Sequence, residues 1–442
     1  MEVNMHKQKP LQEVVTTTNN PHLHVVKCKI LDLKSNIHNA RIHTKKQIRK
    51  IAESIKSFGF VNPILIDAED NIVAGHGRVA AAKLLDMDEI PTICLDHLTD
   101  SELRAYILAD NRLAELAGWD NDILAIEFQA LSDMDLNFDI TTTGFETAEI
   151  DVLLHDLTEP DPEDDLPGMD DTRPVKAQLG DIWALGKHRV ACGDVRDSGL
   201  IYKLTLGKAV RMVFTDPPYN VPIDGHVGGL GKHQHKEFAM ASGELSGEEF
   251  KQFLYNSLFP LAQVSSEGAL HYICMDWRHI SELQAACNDI YTQFINLCVW
   301  VKTNGGMGSF YRSQHELIFI YQVDKSSHIN NVELGKYGRY RTNVWQYPGM
   351  NAFGSERDDT LSSHPTVKPV QLVADAIMDA TNIGNIVLDG FLGAGTTLLA
   401  AERTGRVCYG IEIDPSYVDL AIRRWEKITG KTAKLTLSKK II

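Results

Sequence analysis

The sequence predicts an α/β chain in two parts, a small α+β module followed by an open, mostly parallel sheet covered by helices. Three observations predict it. Residues 156–171 hold eight acids, prolines at 160, 162 and 167, and no base, a composition that cannot bury a core and repels itself into a tether. Near the C-terminus a continuous apolar run, Asn385-Ile386-Val387-Leu388-Asp389, leads into a Gly-rich turn, a helix and a second apolar run ending at Glu412, the pattern of a βαβ nucleotide-binding unit. Between them, Val213-Phe214-Thr215 ends at Asp216-Pro217-Pro218-Tyr219-Asn220. Proline lacks an N–H and fixes φ, so the pair ends the sheet ladder in a stiff elbow.

That elbow presents Asp216 and Tyr219 at the carboxyl edge of a strand, where open α/β sheets place their chemistry. An acid, the rigid Pro217 carbonyl and an aromatic ring suit an extruded nucleobase: the two acceptors take both protons of an exocyclic amine and the ring stacks on the base. The alternative is an ordinary strand-ending turn with a surface Asp and a packed Tyr. The stretch alone does not decide between them.

Composition narrows the field. A chain of 442 residues, 43% hydrophobic and 23% charged, calls for at least two globular domains. There is no apolar run of membrane-spanning length, and residues 1–10 are polar rather than a signal peptide, so a cytoplasmic protein is expected. Seven scattered cysteines without a C-x-x-C pair predict buried thiols and no metal site. The net charge of −15 opposes phosphate binding, but eight of those acids lie in the tether.

In the first half, residues 1–24 read as a flexible arm. Ile48, Ile51, Ile55 and Phe58 recur at helical spacing, and Gly59 closes that helix. Residues 63–67 and 72–74 read as a hairpin around Glu69-Asp70-Asn71, residues 75–85 as a helix, 90–95 as a strand and 101–117 as a further helix. Gly75-His76-Gly77-Arg78 is a tight strand-to-helix turn, which could serve either as a plain corner or as an anion site. Residues 25–117, through Ser54-Ile55, Phe58-Gly59-Phe60, Pro63-Ile64 and Val73-Ala74-Gly75-His76-Gly77-Arg78, resemble a ParB/sulfiredoxin-type N-terminal domain. The resemblance implies that Arg78 and its turn contact nucleotide phosphates or DNA. Residues 118–155 read as a helical connector and 156–177 as an acidic linker.

In the second half, residues 180–186 and 188–194 read as a hairpin and a strand ending at Asp194, followed by a helix at 198–206. Helices at 248–259 and 280–286 and strands at 269–274, 294–302 and 317–321 follow. Lys336 to Arg341 interleaves cations with aromatics, a mix that suits either phosphate contact with base stacking or a solvated loop. The turn Asp389-Gly390-Phe391-Leu392-Gly393-Ala394-Gly395-Thr396-Thr397 lacks the G-x-G-x-x-G of a pyrophosphate site, so a pyrophosphate-free nucleoside fits better than a dinucleotide. Glu412, about 20 residues beyond the turn, sits where an acid takes both ribose hydroxyls.

Residues 178–428 resemble the DNA amino-methyltransferases, in the circularly permuted order that puts the catalytic motif before the cofactor motif. The resemblance is carried by Asp216-Pro217-Pro218-Tyr219, by Trp300, Lys302, Arg312 and Glu316, by His364-Pro365-Thr366-Val367-Lys368-Pro369, and by Asp389 to Thr397 with Glu412. It implies a Rossmann-like, S-adenosylmethionine-dependent methyltransferase fold over residues 178–430, a target-recognition insert at about 225–350 and a tail at 431–442.

The resemblance also implies site residues. Asp216, Pro217, Pro218 and Tyr219 would be catalytic. Asp389, Phe391, Gly393, Gly395, Thr396, Thr397, Glu412, Asp414, Lys368, His364 and, near the adenine, Asp194 would hold S-adenosylmethionine. Arg312, Arg339, Arg341 and Arg78 are the candidates for nucleic-acid contact. Double-stranded DNA is the expected partner, with a nucleotide at the first domain and a homodimer as further candidates. An acid at position 216 favours the N6 amine of adenine in the family. The alternatives are cytosine N4, an RNA or protein amine, and a ParB-like DNA- or nucleotide-binding protein in which methylation is secondary.

Overall fold

A computed structural model describes residues 23–36, 39–134, 136–155, 175–220, 243–302, 311–332, 335–336, 339–347 and 368–437. The chain divides into two compact units, Met1–Asp120 with Leu136–Phe145, and Asn121–Asp135 with Glu146–Ile442. The arm at 1–22 and most of the acidic linker, 156–174, lie outside the described residues.

The first unit runs β1 (Val25–Lys29), α1 (Lys45–Phe58), β2 (Ile64–Ile66), β3 (Ile72–Ala74), α2 (His76–Leu84), β4 (Glu89–Cys94) and α3 (Asp100–Glu115). Its sheet has the order β1-β4-β2-β3. Thr44 caps α1 by accepting from the Gln47 N–H, and Gly59 ends it at φ 83°, a left-handed angle that suits glycine. The β2–β3 turn is tied by Asp67, whose Oδ1 accepts from the Glu69 and Asn71 N–H groups at 3.0 and 2.8 Å. Gly75 enters α2 at φ 103°, and a Cβ there would lie 2.6 Å from Ile64 Cδ1. Only glycine fits.

The second unit begins with α4 (Asn121–Asp133) and α5 (Thr147–His155). Then come β5 (Ile182–Leu185), β6 (His188–Cys192), α6 (Ser198–Thr205), β7 (Val210–Thr215), α7 (Gly247–Gln263), β8 (Ser265–Met275), α8 (Ile280–Asn288), β9 (Gln293–Val301), β10 (His315–Gln322) and β11 (Val344–Gln346). It closes with α9 (Val370–Ala380), β12 (Ile386–Asp389), α10 (Thr396–Arg403), β13 (Val407–Glu412), α11 (Pro415–Thr429) and β14 (Lys434–Leu437).

Ten strands form one sheet in the order β11-β9-β10-β8-β7-β12-β13-β6-β5-β14. The run from β8 to β6 is parallel throughout. Strands buried on both faces read as continuous apolar runs, which is how β7, β12 and β13 appear in sequence. Helices α9, α10 and α11 cover one face of the sheet around Ile377, Leu398 and Trp425. Helices α6, α7 and α8 cover the other around Ile201, Leu254 and Leu283.

The permuted arrangement expected from motif order is present: β6, β7 and β12 share one sheet, in which β12 is found directly beside β7. One expectation is corrected. Strands β8, β9 and β10 and helices α7 and α8 are integral to this sheet and its cover, so a large part of residues 225–350 is core fold, and the expected target-recognition insert cannot occupy that whole range. An antiparallel extension uses its period-two and apolar residues to widen the sheet, a role that motif spacing does not reveal. Residues 221–242, 303–310 and 348–367 lie outside the described residues.

Candidate active site at the carboxyl edge of the sheet

The site forms where β7 and β12 end side by side. Thr215, the last residue of β7, donates its hydroxyl to Asp389 Oδ1 at 3.1 Å, and this bond spans 174 positions of sequence. Asp389 also accepts from Thr397 Oγ1 at 2.7 Å and from the Phe391 N–H at 3.0 Å. Burial lifts its pKa to about 6, against the lowering effect of those donors. The turn after β12 is therefore pinned to the Asp216 elbow at its first residue.

Within that turn, Gly395 adopts φ 87°, and a Cβ there would meet Ala421 of α11 at 2.8 Å. The Ala394 carbonyl accepts from buried Arg424 at 2.8 Å. Glu412, at the end of β13, takes the Gly393 N–H on Oε2 (2.8 Å) and the Asp414 N–H on Oε1 (2.9 Å). Burial pushes the Glu412 carboxyl up to about 7. Asp414 accepts from the Ser416 N–H at 2.9 Å and caps α11. Phe391 packs against Phe253 of α7 with ring centroids 6.2 Å apart, and Thr396 and Thr397 are buried in the first turn of α10.

At the elbow, the Tyr219 hydroxyl donates to Asp216 Oδ1 at 2.6 Å. Lys368 Nζ donates to Asp216 Oδ2 at 2.5 Å and lies 2.9 Å from Glu316 Oε2. The other oxygen of Glu316 accepts from Lys302. Burial, then the charges of Asp216 and Glu316, hold Tyr219 well above the ordinary phenol range, so it remains a donor. Burial alone would lower the Lys368 ammonium, but the two carboxylates raise it instead. Glu316, which burial would raise, is drawn down to about 2 by the two ammonium groups. Asp216 keeps 25% of its side chain exposed while Lys368 keeps 5%, so the acid faces outward from a buried charged base. Each Asp216 oxygen has a second lone pair free to accept.

Asn220 completes the elbow at φ 53°, a left-handed conformation that asparagine tolerates. Its side chain donates to the Leu245 carbonyl at 2.8 Å and accepts from the Gly243 and Leu245 N–H groups. The segment leading into α7 is thereby fixed to the residue after Tyr219.

The site thus assembles Asp216, Pro217, Pro218, Tyr219, Asp389, Phe391, Gly393, Gly395, Thr396, Thr397, Glu412 and Lys368 along one edge. Lys368 turns toward Asp216 and Glu316 rather than toward the Gly-rich turn; its carbonyl, not its ammonium, meets Thr396 at 3.4 Å. Asp194 follows β6, held by a two-pronged contact with Arg196 (3.0 and 2.6 Å), and borders a cavity of about 380 Å³ with Gly193 and Leu200. Arg312 is exposed. His364 lies outside the described residues.

Two candidates for nucleic-acid contact are corrected. Arg339 is buried and donates to Asp379 Oδ1 at 2.6 Å, and Arg341 donates to Asp379 Oδ2 at 3.0 Å and to the Tyr347 hydroxyl at 2.7 Å. Both serve the carboxylates of α9, so neither guanidinium is presented to a phosphate. Glu316, Lys302 and Asn220 had no role assigned from sequence; Thr215 had none either. In the first unit, Arg78 turns back over Gly75 and donates to the Pro63 carbonyl at 3.4 Å. Its Nε and His76 Nε2 are buried without a hydrogen-bond partner. Among the described residues, no His, Cys, Asp and Glu cluster is arranged to hold a metal ion, and no helix is long and apolar enough to cross a membrane.

Comparison with known proteins matches this division. Residues 210–423 match the model of the N6/N4 DNA methylase family, residues 122–177 that of the ParB-methyltransferase HTH domain, and residues 14–112 that of the ParB N-terminal domain. The ParB-like nuclease domain-containing protein YnaK of Escherichia coli (strain K12) is 48% identical over 80 residues, 18% of this chain and 92% of YnaK. The type II methyltransferase M.HpaI of Haemophilus parainfluenzae is 26% identical over 230 residues, 49% of this chain and 68% of M.HpaI. The crystal structure of M1.HpyAVI shares 20% identity, with a TM-score of 0.38 over 53% of this chain and 96% of that one. A doubly wound sheet carrying an acid-Pro-Pro elbow beside a Gly-rich turn defines an S-adenosylmethionine-dependent methyltransferase. The chain belongs to the N6/N4 DNA methyltransferases through its second unit, and to the ParB-like family through its N-terminal domain.

Proposed function

We propose that this methyltransferase modifies the N6 amine of adenine, with Asp216 and the Pro217 carbonyl as the two acceptors of the amine protons. S-adenosylmethionine supplies the methyl group as an electrophile when bound. The observation that carries this reading is the elbow itself: an acid whose two oxygens are aimed by Tyr219 and Lys368 while the carboxylate stays partly exposed. An exocyclic amine is a weak nucleophile because its lone pair is delocalised into the ring. Accepting from both N–H groups draws the nitrogen toward tetrahedral geometry and aims the lone pair at the donor, a positioning effect above all. The Tyr219 ring would hold the base, a contact worth ~1–3 kcal/mol where such stacking is measured.

The residues along the edge fit the cofactor. Glu412 offers two oxygens already fixed by backbone N–H groups to the paired hydroxyls of a ribose. Gly393 leaves open space for close approach, Gly395 lets the turn pack on Ala421, and Asp389 with Thr397 lines the end toward Asp216. Asp194 and Phe391 would border the nucleoside.

Incubating the protein with labelled S-adenosylmethionine and unmethylated genomic DNA, then digesting to nucleosides, tests the base. Label in N6-methyladenine is expected; label in N4-methylcytosine would keep the mechanism and reverse the base. For the first unit, a nucleotide at Gly75 to Arg78 is the finer reading. What supports it is the turn at the N-terminus of α2 with two buried, unpartnered side-chain nitrogens. Equilibrium binding of nucleoside triphosphates to the protein and to Arg78→Ala, with binding lost in the variant, tests it.

A further inference from the structure

We propose that Glu316, backed by Lys302, is a positioning residue for methyl transfer: it shares the Lys368 ammonium with Asp216 and so fixes the direction of the accepting carboxylate. This rests on the reading of Asp216 as an acceptor of the amine protons.

Four charged side chains meet here from four separate segments. Asp216 follows β7, Glu316 lies on β10, Lys302 follows β9 and Lys368 precedes α9. Strand β8 lies between β7 and β10, so Glu316 reaches the elbow across an intervening strand. Its place is set by the β9–β10 pairing, in which Glu316 is opposite Trp300. The charges alternate along the line Asp216, Lys368, Glu316, Lys302, two negative and two positive.

The geometry around Lys368 gives Glu316 its role. An ammonium has three protons and no acceptor. Lys368 Nζ has three oxygens within reach, Asp216 Oδ2 at 2.5 Å, Glu316 Oε2 at 2.9 Å and Tyr219 Oη at 3.3 Å. It also lies 5.7 Å from the Tyr219 ring centre and 5.9 Å from that of Trp300. A lysine so placed can be drawn off by losing any one acceptor, because its point charge has no preferred plane. Without the Glu316 charge, the same cluster carries a net positive charge around one remaining carboxylate. Lys368 is then left to Asp216 alone, and its pull is free to turn the carboxylate away from the direction in which it accepts the amine N–H. Tyr219 is caught in the same change, since its hydroxyl lies 3.3 Å from Glu316 Oε2.

The test compares Glu316→Gln, Glu316→Asp and Lys302→Met in the full-length enzyme with S-adenosylmethionine and DNA. Glu316→Gln is expected to lower kcat by roughly 100-fold, the scale of a misplaced reacting group, while cofactor Kd and the KM for DNA stay within about threefold. Glu316→Asp keeps the charge with shorter reach and is expected to recover part of the loss. Lys302→Met releases only the outer oxygen and is expected to lower kcat by roughly tenfold. A merely structural ion pair would instead lower the melting temperature, cofactor affinity and kcat together, without rescue by Asp. That pattern, or a normal kcat in both Glu316→Gln and Lys302→Met, overturns the proposal. Lys302→Met keeps the question answerable should Glu316→Gln not fold. Asp216→Ala runs alongside: if it retains transfer, the reading of Asp216 itself fails, whereas a dead Asp216→Ala with a normal Glu316→Gln removes only this inference.

Discussion

The ten-stranded sheet carries buried ion pairs at both of its edges, and they are built from different residues. At the carboxyl edge the cations are lysines, Lys302 and Lys368, facing Glu316 and an Asp216 that keeps a quarter of its side chain in solvent. At the amino edge the cation is Arg406, just before β13, fully buried against Asp151 of α5. Its fork makes five hydrogen bonds, two to Asp151 (2.7 and 2.9 Å), two to Thr381 (3.2 and 2.7 Å) and one to the Thr404 carbonyl (2.7 Å). Five donors are thus matched by five acceptors. A cavity of about 420 Å³ opens beside this cluster, yet it lies on the opposite edge from Asp216 and is lined by Lys187, His188 and Glu402. A planar fork fixes one arrangement, while an ammonium on a flexible stem tolerates several. The fold uses the first to fasten a helix and the second to hold the partly exposed Asp216.

The sharpest way to break this contrast is at Asp216. Asp216→Ala should reduce methyl transfer by roughly 10³-fold or more, with cofactor binding retained. Single-turnover transfer and equilibrium dialysis measure the two separately, and loss of both together would make Asp216 a folding residue like Asp151. The converse substitution is Asp151→Ala. Removing one partner leaves Arg406 buried and uncompensated, so stability should fall by about 3–5 kcal/mol. Chemical denaturation followed by tryptophan fluorescence reads this directly, and the residual folded enzyme should keep its kcat. A smaller effect is expected from Tyr219→Phe, which keeps the ring and removes the donor to Asp216 Oδ1. A hydrogen bond to a charged acceptor of this kind corresponds to roughly tenfold in kcat, with DNA binding unchanged. An equal loss in DNA affinity would show that the Tyr219 hydroxyl serves DNA binding rather than aiming the acid alone.

The contrast also explains what the sequence made legible. The elbow and the Gly-rich turn are local chemistry: prolines end a strand and glycines permit φ values that other residues avoid, so their function is written where it acts. That β6, β7 and β12 share one sheet followed from the order of motifs; that β7 and β12 are neighbours did not. Glu316 was quoted among those motifs without a role, because its partners Asp216 and Lys368 are distant in sequence and the connection is purely tertiary. Its one local trace is a lone acid entering the apolar run of β10.

The inward turn of Arg339 and Arg341 is hidden for a related reason. A loop of cations and aromatics has the same composition whether it faces phosphates or turns inward. The available signal was on α9, where Asp375 and Asp379 stand four residues apart in a helix that is otherwise apolar but for Gln371. Two acids on the buried side of such a helix require buried cations, and Arg339 and Arg341 supply them. The widening of the sheet by β8, β9 and β10 was hidden for a simpler reason: their apolar runs were read as strands, but a run does not name its neighbour.

The smallest effect concerns Glu412, an acid with neither lysine nor arginine in its described hydrogen bonds. Burial raises its carboxyl to about 7, so near neutral pH the free protein holds part of a proton there. The Gly393 and Asp414 N–H groups pull the other way without prevailing. Two ribose hydroxyls donating to this group would favour the charged form, and their arrival should expel the proton. Cofactor affinity should therefore rise as pH climbs through about 7 and level off above it, where the carboxylate is already formed. Calorimetry at pH 7 in two buffers of different ionisation enthalpy should show release of about half a proton per cofactor bound, vanishing by about pH 9. In Glu412→Gln the release should be absent at every pH. Persistent release in that variant would move the linkage to another acid, with Asp389 and its carboxyl at about 6 the next to test.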